Sequence, residues 1–577
     1  MSNNPGGAFM VWWSGVLMRV KLARYLLPIA LIVWLALTAL TFRFLLYPEA
    51  QYTKTYLAAL FCPRHSVSYF NTSDRQLYTF TPAQNFLDGF EQFWPDVRWK
   101  MLIGMSTTFI LSFVGTFNIG FAIFKKMDDK QCSPQWIRGA KLIPVDELNR
   151  QMDKANEERD IRIGETRLPI KAEQQGVFMC GAAGSGKTQI LSSAVSSIRK
   201  RHGMKGIIYG YKADDYFMKF YDAGRDILFS PIDERGIKWN IFREINEATA
   251  VFDIAAIAGS LIPTPAKAGE NAWVYNDART VFEAMLTYLY TNNLQTMSDL
   301  WSMLTLETSA LVEMLKGKPG CEAGYKLISN ASGRTTDTIL GAVVEHTKFF
   351  QFMAAYDSDF STNKWLNDGK PGFIFLQNSP VAKDLLRPIL TLFIDMLSRR
   401  IIDLPDDYKR RIFFMIDEFG TLNKLESLIE LIARGRSKGV SIWLATQDFG
   451  QVDSKYGDNL RSTINNSIST KIVLMCPDAV TAKQMSDLIG PCEVVEVSSS
   501  VQGGPQGMFG DRQTRTEHRN TKPLVLSSTI QAMKPLTAYV KFPAYDWTLT
   551  DIPYVNYPNV AEGLIPSESV RIGGRQD

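Results

Sequence analysis

The stretch Gly181–Thr188 reads GAAGSGKT, and it constrains the fold of this chain more than any other segment. It directly follows GVFMC at Gly176–Cys180, a short apolar run of strand character. The residues after the stretch have helical periodicity. One face of that helix is apolar: Leu191, Ala194, Val195 and Ile198. A strand, a glycine-rich loop and a helix are therefore predicted in direct succession.

This loop matches the complete pattern G-x-x-x-x-G-K-[ST]. Because glycine has no side chain to block the approach, its backbone N–H groups can surround phosphate oxygens. The predicted phosphate cradle is Gly181, Ala182, Ala183, Gly184, Ser185, Gly186, Lys187 and Thr188. We expect Lys187 to reach the β- and γ-phosphates, Thr188 to ligate Mg²⁺, and the phosphates to lie at the helix N-terminus. The sequence thus predicts a site for ATP and Mg²⁺.

A second apolar run ends in two adjacent acids. Arg411–Gly420 reads RIFFMIDEFG, in which Asp417 and Glu418 follow the strand-like residues. An acid at the carboxyl end of a buried parallel strand beside the loop can hold magnesium through water, and a second acid can polarise the attacking water. We assign the first role to Asp417, as a metal ligand, and the second to Glu418.

Polar and basic residues surround a further strand, Val440–Ala445 (VSIWLA). Gln447 follows its carboxyl end, where a polar side chain can contact the γ-phosphate or its water, or simply cap the strand. Three basic residues precede the strand: Arg434, Arg436 and Lys438. They either solvate a surface, or one of the arginines reaches the nucleotide of a neighbouring subunit, which requires a ring.

Apolar strand-like runs recur along the chain and alternate with helical patterns. They are Gly206–Tyr209, Gly372–Gln377, Ile412–Ile416, Val440–Ala445 and Lys471–Met475. This alternation predicts an α/β fold with a mainly parallel sheet covered on both faces. From about residue 250 to 365 the pattern is helical only, which predicts an all-helical subdomain inserted into the α/β domain.

Two charge-free apolar stretches near the start predict transmembrane helices. They are Tyr25–Phe42 and Met101–Phe124. Basic residues precede the first and follow the second, which places both ends in the cytoplasm by the positive-inside tendency. These residues are Arg19, Lys21, Arg24, Lys125, Lys126 and Lys130. The alternative is a cleaved signal peptide followed by a buried core helix.

The predicted organisation has four segments. Residues 1–130 form a membrane anchor, with transmembrane helices at about 25–46 and 101–124 and an external loop at 48–100. The ATPase domain is in two parts, 131–250 and 366–577, the second with a C-terminal tail, and the all-helical subdomain at 251–365 separates them. The polar, glycine-rich stretch Ser498–Pro523 is predicted to be a mobile loop. Its arginines, Arg512, Arg515 and Arg519, are expected either to be solvated or to meet a phosphate backbone.

Composition restricts the remaining classes of function. With 46% hydrophobic and 21% charged residues the chain is globular rather than disordered. The net charge of +4 neither requires nor excludes a polyanionic partner. The six cysteines contain no C-x-x-C pair and the four histidines do not cluster with them, so a zinc site is not expected.

Taken together, these features resemble the type IV secretion coupling proteins, the VirD4/TraD family of conjugative ATPases, with the TraD-like branch closer. The likeness is strongest over residues 176–242 and 411–475. It rests on the two spans, GAAGSGKT, IDEFG, GRSKGVSIWLATQD and the helical insertion. One departure is the turn YGYKADDYF at Tyr209–Phe217, where many members have an aspartate and a K-G-E run.

The resemblance implies a RecA-like P-loop NTPase that assembles as a homo-hexamer at the bacterial inner membrane, multi-pass, with the bulk of the chain cytoplasmic. It implies that the motor receives a relaxase bound to single-stranded DNA and delivers it to a type IV secretion channel during conjugation. By the same resemblance Lys187 and Thr188 are the Walker A pair, and Asp417 and Glu418 are the Walker B pair. Arg436 is the arginine finger and Gln447 the sensor.

Three other functions remain open from the sequence. A DNA translocase of the FtsK/HerA class would use the same motor, although such pumps usually carry more spans or a C-terminal winged helix. A membrane scaffold that binds nucleotide as a structural switch would not need the intact acids. A secretion ATPase that moves only proteins would not be stimulated by DNA.

Overall fold

The computed structural model describes residues 26–41, 43, 47–71, 75–81, 83–90, 94–132, 135–210, 212, 216–265, 269–329, 333–355, 358–501 and 513–568. The chain forms two compact units. The first consists of residues 1–135 and 495–519, and the second of residues 136–494 and 520–577.

The first unit is mainly helical. Its elements up to residue 132 are α1 (Leu26–Thr41), α2 (Tyr47–Phe61), β1 (Val67–Asn71), β2 (Gln76–Phe80), α3 (Gln84–Phe90) and α4 (Trp94–Cys132). The segment predicted as an external loop therefore contains a helix, a β-hairpin and a further short helix.

Among the described residues, one helix is long and apolar enough to cross a membrane: Trp99–Gly120, 22 residues within α4. It corresponds to the second predicted span. Over its described residues, the first predicted span is an apolar helix, α1, shorter than a membrane crossing requires. Part of its predicted range, residues 25, 42 and 44–46, lies outside the described residues. The prediction of two spans is therefore not supported by the length of α1.

Helices α1 and α4 pack side by side in opposite directions. Three hydrogen bonds join them: Ser112 Oγ to Ala30 O at 2.6 Å, Thr38 Oγ1 with Thr108 Oγ1 at 3.0 Å, and Trp34 Nε1 to Met105 O at 3.2 Å. Their other faces expose large apolar side chains such as Leu27, Ile32 and Leu111. The two apolar helices thus satisfy polar groups between them and present apolar surface outward, as helices in lipid do.

A ten-stranded sheet dominates the second unit. The strands from residue 135 onward are β3 (Gln135–Gly139), β4 (Leu142–Ile143), β5 (Arg159–Ile163), β6 (Thr166–Pro169), β7 (Val177–Cys180), β8 (Lys205–Gly210), β9 (Ile227–Phe229), β10 (Gly372–Gln377), β11 (Ile412–Ile416), β12 (Val440–Thr446), β13 (Thr470–Val473), β14 (Pro491–Val501), β15 (Gln513–Pro523), β16 (Thr537–Lys541) and β17 (Trp547–Asp551). The order in the large sheet is β4-β17-β16-β13-β7-β12-β11-β8-β10-β9.

The seven strands from β13 to β9 are all parallel, and β16 pairs antiparallel with β13. This confirms the predicted mainly parallel sheet. Each of the five predicted strand-like runs corresponds to one of these parallel strands. Two strands begin and end at the predicted residues, and in the other three an end differs from the prediction by one or two residues. Such strands are buried on both faces, and β11 shows it: Phe413 and Met415 belong to one core and Phe414 to the other.

Helices cover both faces of the sheet. From residue 136 onward they are α5 (Val145–Lys154), α6 (Ile170–Glu173), α7 (Lys187–Arg199), α8 (Phe217–Phe220), α9 (Ala250–Leu261), α10 (Ala272–Thr291), α11 (Met297–Leu304), α12 (Thr308–Leu315), α13 (Glu322–Ser329), α14 (Gly333–Thr347), α15 (Thr362–Asn367), α16 (Lys383–Ile402), α17 (Glu426–Arg434), α18 (Phe449–Tyr456), α19 (Asp458–Ser467), α20 (Ala479–Ile489) and α21 (Ser527–Gln531).

Between β9 and β10 the described residues contain helices and no strand. Helix α10 buries one apolar face in this segment: Ala278, Val281, Phe282, Met285, Leu286 and Leu289. Its residues belong to the same apolar core as one face of the sheet. The predicted domain limits at 250, 251, 365 and 366 stay predictions.

The segment Ser498–Pro523 differs from its prediction as a mobile loop. Residues up to Val501 extend strand β14, and β15 begins at Gln513. Residues 502–512, including Arg512, lie outside the described part of the chain. Arg519 is exposed on β15. Strand pairing satisfies the backbone of this polar sequence without an apolar face, and for that reason its hydrophobicity pattern did not reveal it.

Candidate nucleotide site

The glycine-rich loop joins β7 to α7, as predicted. Gly184 and Gly186 have φ angles of 76° and 119°, a region that favours glycine. At Gly181 a Cβ atom would lie 2.6 Å from the Cβ of Leu474, so no side chain fits there. Helix α7 begins at Lys187, so the amides of its first turn lie at the loop. The backbone therefore has the shape and the donors of an anion cradle.

Lys187 lies across the mouth of this loop. Its ammonium donates to the carbonyl oxygens of Gly181 and Ala182, the latter at 3.1 Å, and the side chain is buried. An ammonium held beside phosphate-binding amides supplies the positive charge that a polyphosphate requires. The arrangement fits the predicted role of Lys187.

The two acids lie at the same edge of the sheet. Asp417 and Glu418 follow β11, and a single strand, β12, separates β11 from β7. Burial raises the pKa of Asp417 to about 6 and also raises the pKa of Glu418, while the charge of Lys187 lowers the pKa of both. Hydrogen bonds join the two elements through β12: the Gly181 N–H donates to Thr446 O at 3.1 Å, and the Thr446 hydroxyl donates to Glu418 Oε1 at 3.4 Å. The structure therefore brings the cradle and the acids, far apart in sequence, to one place.

Glu418 has a constrained backbone. Its φ and ψ are 60° and 54°, the left-handed region that non-glycine residues rarely adopt. The amide and the hydroxyl of Thr421 both donate to the Glu418 carbonyl oxygen, at 2.9 and 2.8 Å. Lys455 on α18 adds hydrogen bonds to the carbonyls of Gly420 and Leu422. A strained backbone that several hydrogen bonds hold in place is typical of turns at functional sites.

The carboxylate of Glu418 faces the end of β12. It accepts the backbone N–H of Gln447 at 3.1 Å and the hydroxyl of Thr446 at 3.4 Å. The exposed Gln447 and the buried Glu418 line one cavity of about 440 Å³. Gln447 is therefore adjacent to the acid that was predicted to polarise water.

The residues present suit magnesium. No group of three or more His, Cys, Asp and Glu side chains converges on a metal position within the described residues. Mg²⁺ usually binds one or two protein ligands and completes its octahedron with water and substrate phosphates. Asp417 and Thr188, an acid and a hydroxyl bordering a phosphate cradle, are ligands of that kind.

Arg436 lies elsewhere. It borders a cavity of about 260 Å³ together with Gly176, which directly precedes β7, and Ser469, which directly precedes β13. Arg436 itself lies shortly before the start of β12. This is the amino end of the strands, opposite the edge that carries Lys187 and Asp417. Because a seven-residue strand spans roughly 20 Å, Arg436 cannot reach the nucleotide site of its own chain.

Three residues near the acids were missed by sequence reasoning. Asn378 follows the carboxyl end of β10 and donates to the Tyr209 hydroxyl at 3.3 Å. The rule that identified Gln447, a polar side chain at a strand end, would have found it. Lys455 and Tyr216 carry no such signal, because helical and turn segments bring them to the acids from beyond the motifs.

Comparison with known proteins gives the family. The model of the type IV secretion-system coupling protein DNA-binding domain matches residues 160–550, more than half of the chain. Coupling protein TraD of Escherichia coli is 23% identical over 491 residues, 83% of this chain and 66% of TraD. A conjugal transfer protein TraG of Escherichia coli is 28% identical over 180 residues, 29% of this chain and 28% of TraG. The alignments thus span less than two thirds of these relatives.

Solved structures share the fold. The unbound bacterial conjugative coupling protein TrwBdeltaN70 has a TM-score of 0.64 at 23% identity, over 75% of this chain and 96% of that one. The plasmid coupling protein TrwB in complex with ADP and Mg²⁺ has a TM-score of 0.63 at 22% identity, over 75% and 98%. A TrwB complex with a non-hydrolysable ATP analogue also scores 0.63 at 23% identity, over 75% and 98%.

The sheet with its glycine cradle and paired acids is thus a P-loop NTPase-like α/β fold, and the predicted relationship is confirmed. The chain belongs to the family of type IV secretion-system coupling proteins.

Proposed function

We propose that this protein is an ATP-hydrolysing coupling protein of the bacterial inner membrane. It recruits relaxase-bound single-stranded DNA and delivers it to a type IV secretion channel during conjugation. The observation that supports this most is the meeting of Lys187 with Asp417 and Glu418 at one sheet edge, in a chain whose family match is to a DNA-binding domain of coupling proteins.

Each side chain at the site has a separate role in ATP hydrolysis. The loop amides and Lys187 bind and orient the phosphates of ATP, and Thr188 and Asp417 hold Mg²⁺. The metal neutralises charge on the β- and γ-phosphates. Glu418, whose carboxylate lies in the cavity shared with Gln447, orients the attacking water, and Gln447 contacts the γ-phosphate or that water.

For the anchor, we propose that α1 and the membrane-length part of α4 cross the bilayer as a helical hairpin. The hydrogen bonds between them and their outward apolar faces support this, with α1 lengthened by residues that flank its described part. The bulk of the chain then lies in the cytoplasm. The RecA-like motor comprises 131–250 and 366–577, and the helical insertion 251–365 engages DNA or relaxosome.

The position of Arg436 supports a ring, in which it reaches the nucleotide of a neighbouring subunit of a homo-hexamer. We expect Arg436→Ala to lower the assembled kcat by about 10³-fold, the usual range for an arginine finger. Mixing Arg436→Ala with Lys187→Ala, each inactive alone, should restore part of the turnover, because a Lys187→Ala subunit can supply its arginine to the intact cradle of an Arg436→Ala neighbour. Arg434→Ala, on the exposed end of α17, is the matched control. Mixed rings that recover no turnover would contradict the role in trans.

The function is tested by ATPase activity of the full chain in detergent, with and without single-stranded DNA, across protein concentration. We expect activity per subunit to rise as the ring assembles and to increase further with DNA. Turnover that DNA does not change, while a relaxase alone stimulates it, would instead support a protein-only secretion ATPase. Turnover independent of protein concentration would contradict a site completed between subunits.

A further inference from the structure

The turn that departs from the family pattern delivers a side chain to the Asp417 carboxylate. Tyr216, in the YGYKADDYF segment after β8, donates its hydroxyl to Asp417 Oδ2 at 2.7 Å. Both side chains are buried, Tyr216 with 1% and Asp417 with 6% of its surface exposed. A hydrogen bond to a buried carboxylate is strong and directional, so it fixes the orientation of that carboxylate.

The local structure holds the tyrosine ring in place. A Cβ at Gly210 would lie 2.9 Å from the ring, so the absence of a side chain at this strand end makes room for it. The next residue, Phe217, begins α8 and packs against Phe375 of β10, with ring centroids 6.1 Å apart. Arg235 lies over the Phe217 ring, 5.0 Å from its centroid. The packing of this segment therefore holds the Tyr216 hydroxyl in position to donate to Asp417.

We propose that Tyr216 is a positioning residue of the magnesium site: by holding Oδ2, it fixes the orientation in which the Asp417 carboxylate would meet the metal or its water. The inference rests on the proposed function, in which Asp417 holds Mg²⁺. Partners that orient a metal-binding group generally contribute 10- to 100-fold to metal affinity, and we expect an effect of about tenfold here.

Tyr216→Phe keeps the ring and removes only the donor. We expect half-maximal ATPase activity to require about tenfold more Mg²⁺, while kcat at saturating Mg²⁺ is largely recovered. A merely structural role would lower kcat at every Mg²⁺ concentration. Tyr539→Phe, which removes a hydroxyl from another buried tyrosine on β16, is the control for the general effect of such a change.

A binding measurement separates the inference from the proposed function. Mn²⁺ affinity of the full chain with ADP, followed by electron paramagnetic resonance, should weaken about tenfold in Tyr216→Phe. In an Asp417→Asn background the second change should have no further effect, because it acts only through Asp417. An unchanged Mn²⁺ constant in Tyr216→Phe, or an equal loss in both backgrounds, would overturn the inference. Wild-type protein that binds no Mn²⁺ with ADP would contradict the proposed function as well.

Discussion

Lys187→Ala is expected to lower ATP turnover by at least about 10³-fold while leaving the fold and membrane insertion intact. A single preorganised donor at a developing charge typically contributes 10²- to 10³-fold, and Lys187 adds a full positive charge in a buried site. Among the described residues, its ammonium donates hydrogen bonds only to the carbonyls of Gly181 and Ala182, so its loss leaves no distant hydrogen-bond partner unpaired. The measurement is steady-state ATPase activity, with circular dichroism to compare the folds.

Lys200→Ala is the matched control, because it removes an exposed lysine just after the other end of the same helix. We expect this variant to hydrolyse ATP at the wild-type rate. If Lys187→Ala retained wild-type turnover, the assignment of the nucleotide site to this loop would be wrong.

Glu418→Gln is expected to lower kcat by about 10² to 10⁴-fold with ATP binding preserved, because general base catalysis contributes roughly this much. Glutamine keeps the size of the side chain and an oxygen that can still accept the N–H of Gln447. The ability to take a proton from water is lost. Turnover and the binding of a fluorescent ATP analogue, measured on the same preparation, separate the two properties.

Glu247→Gln, at an exposed position remote from the motifs, controls for the loss of one negative charge. A Glu418→Gln variant in which binding and turnover fall together would indicate that Glu418 holds the bound nucleotide rather than activating water.

The sheet could be predicted from the sequence because its strands are buried on both faces. Gly372–Gln377 and Ile412–Ile416 are continuous apolar runs, and their predicted ends coincide with those of β10 and β11. The glycine loop and the paired acids follow such strands directly, so their side chains were predicted to meet at one edge. Strand order was not predictable, since nothing local indicates that β12 lies between β7 and β11.

Features that depend on contacts between distant parts of the chain could not be predicted from the sequence. Tyr216 reaches Asp417 across 201 positions of sequence, through a turn with no recognised pattern. The polar residues Ser498–Ser500 at the end of β14, and the polar strand β15, lack the alternation that indicates a half-buried strand. The described part of the first apolar helix, Leu26–Thr41, is shorter than a membrane span, although its apolar composition predicted one.

Metal-directed cleavage tests most directly whether the cradle and the acids surround one nucleotide. With Fe²⁺ in place of Mg²⁺, and with ATP, ascorbate and peroxide, radicals form at the bound metal and cut the nearest backbone. We expect cuts near both Thr188 and Asp417, identified by mass spectrometry, and no cuts at either in Lys187→Ala. Cleavage at only one of the two positions in the wild-type chain, at saturating ATP, would contradict a shared site.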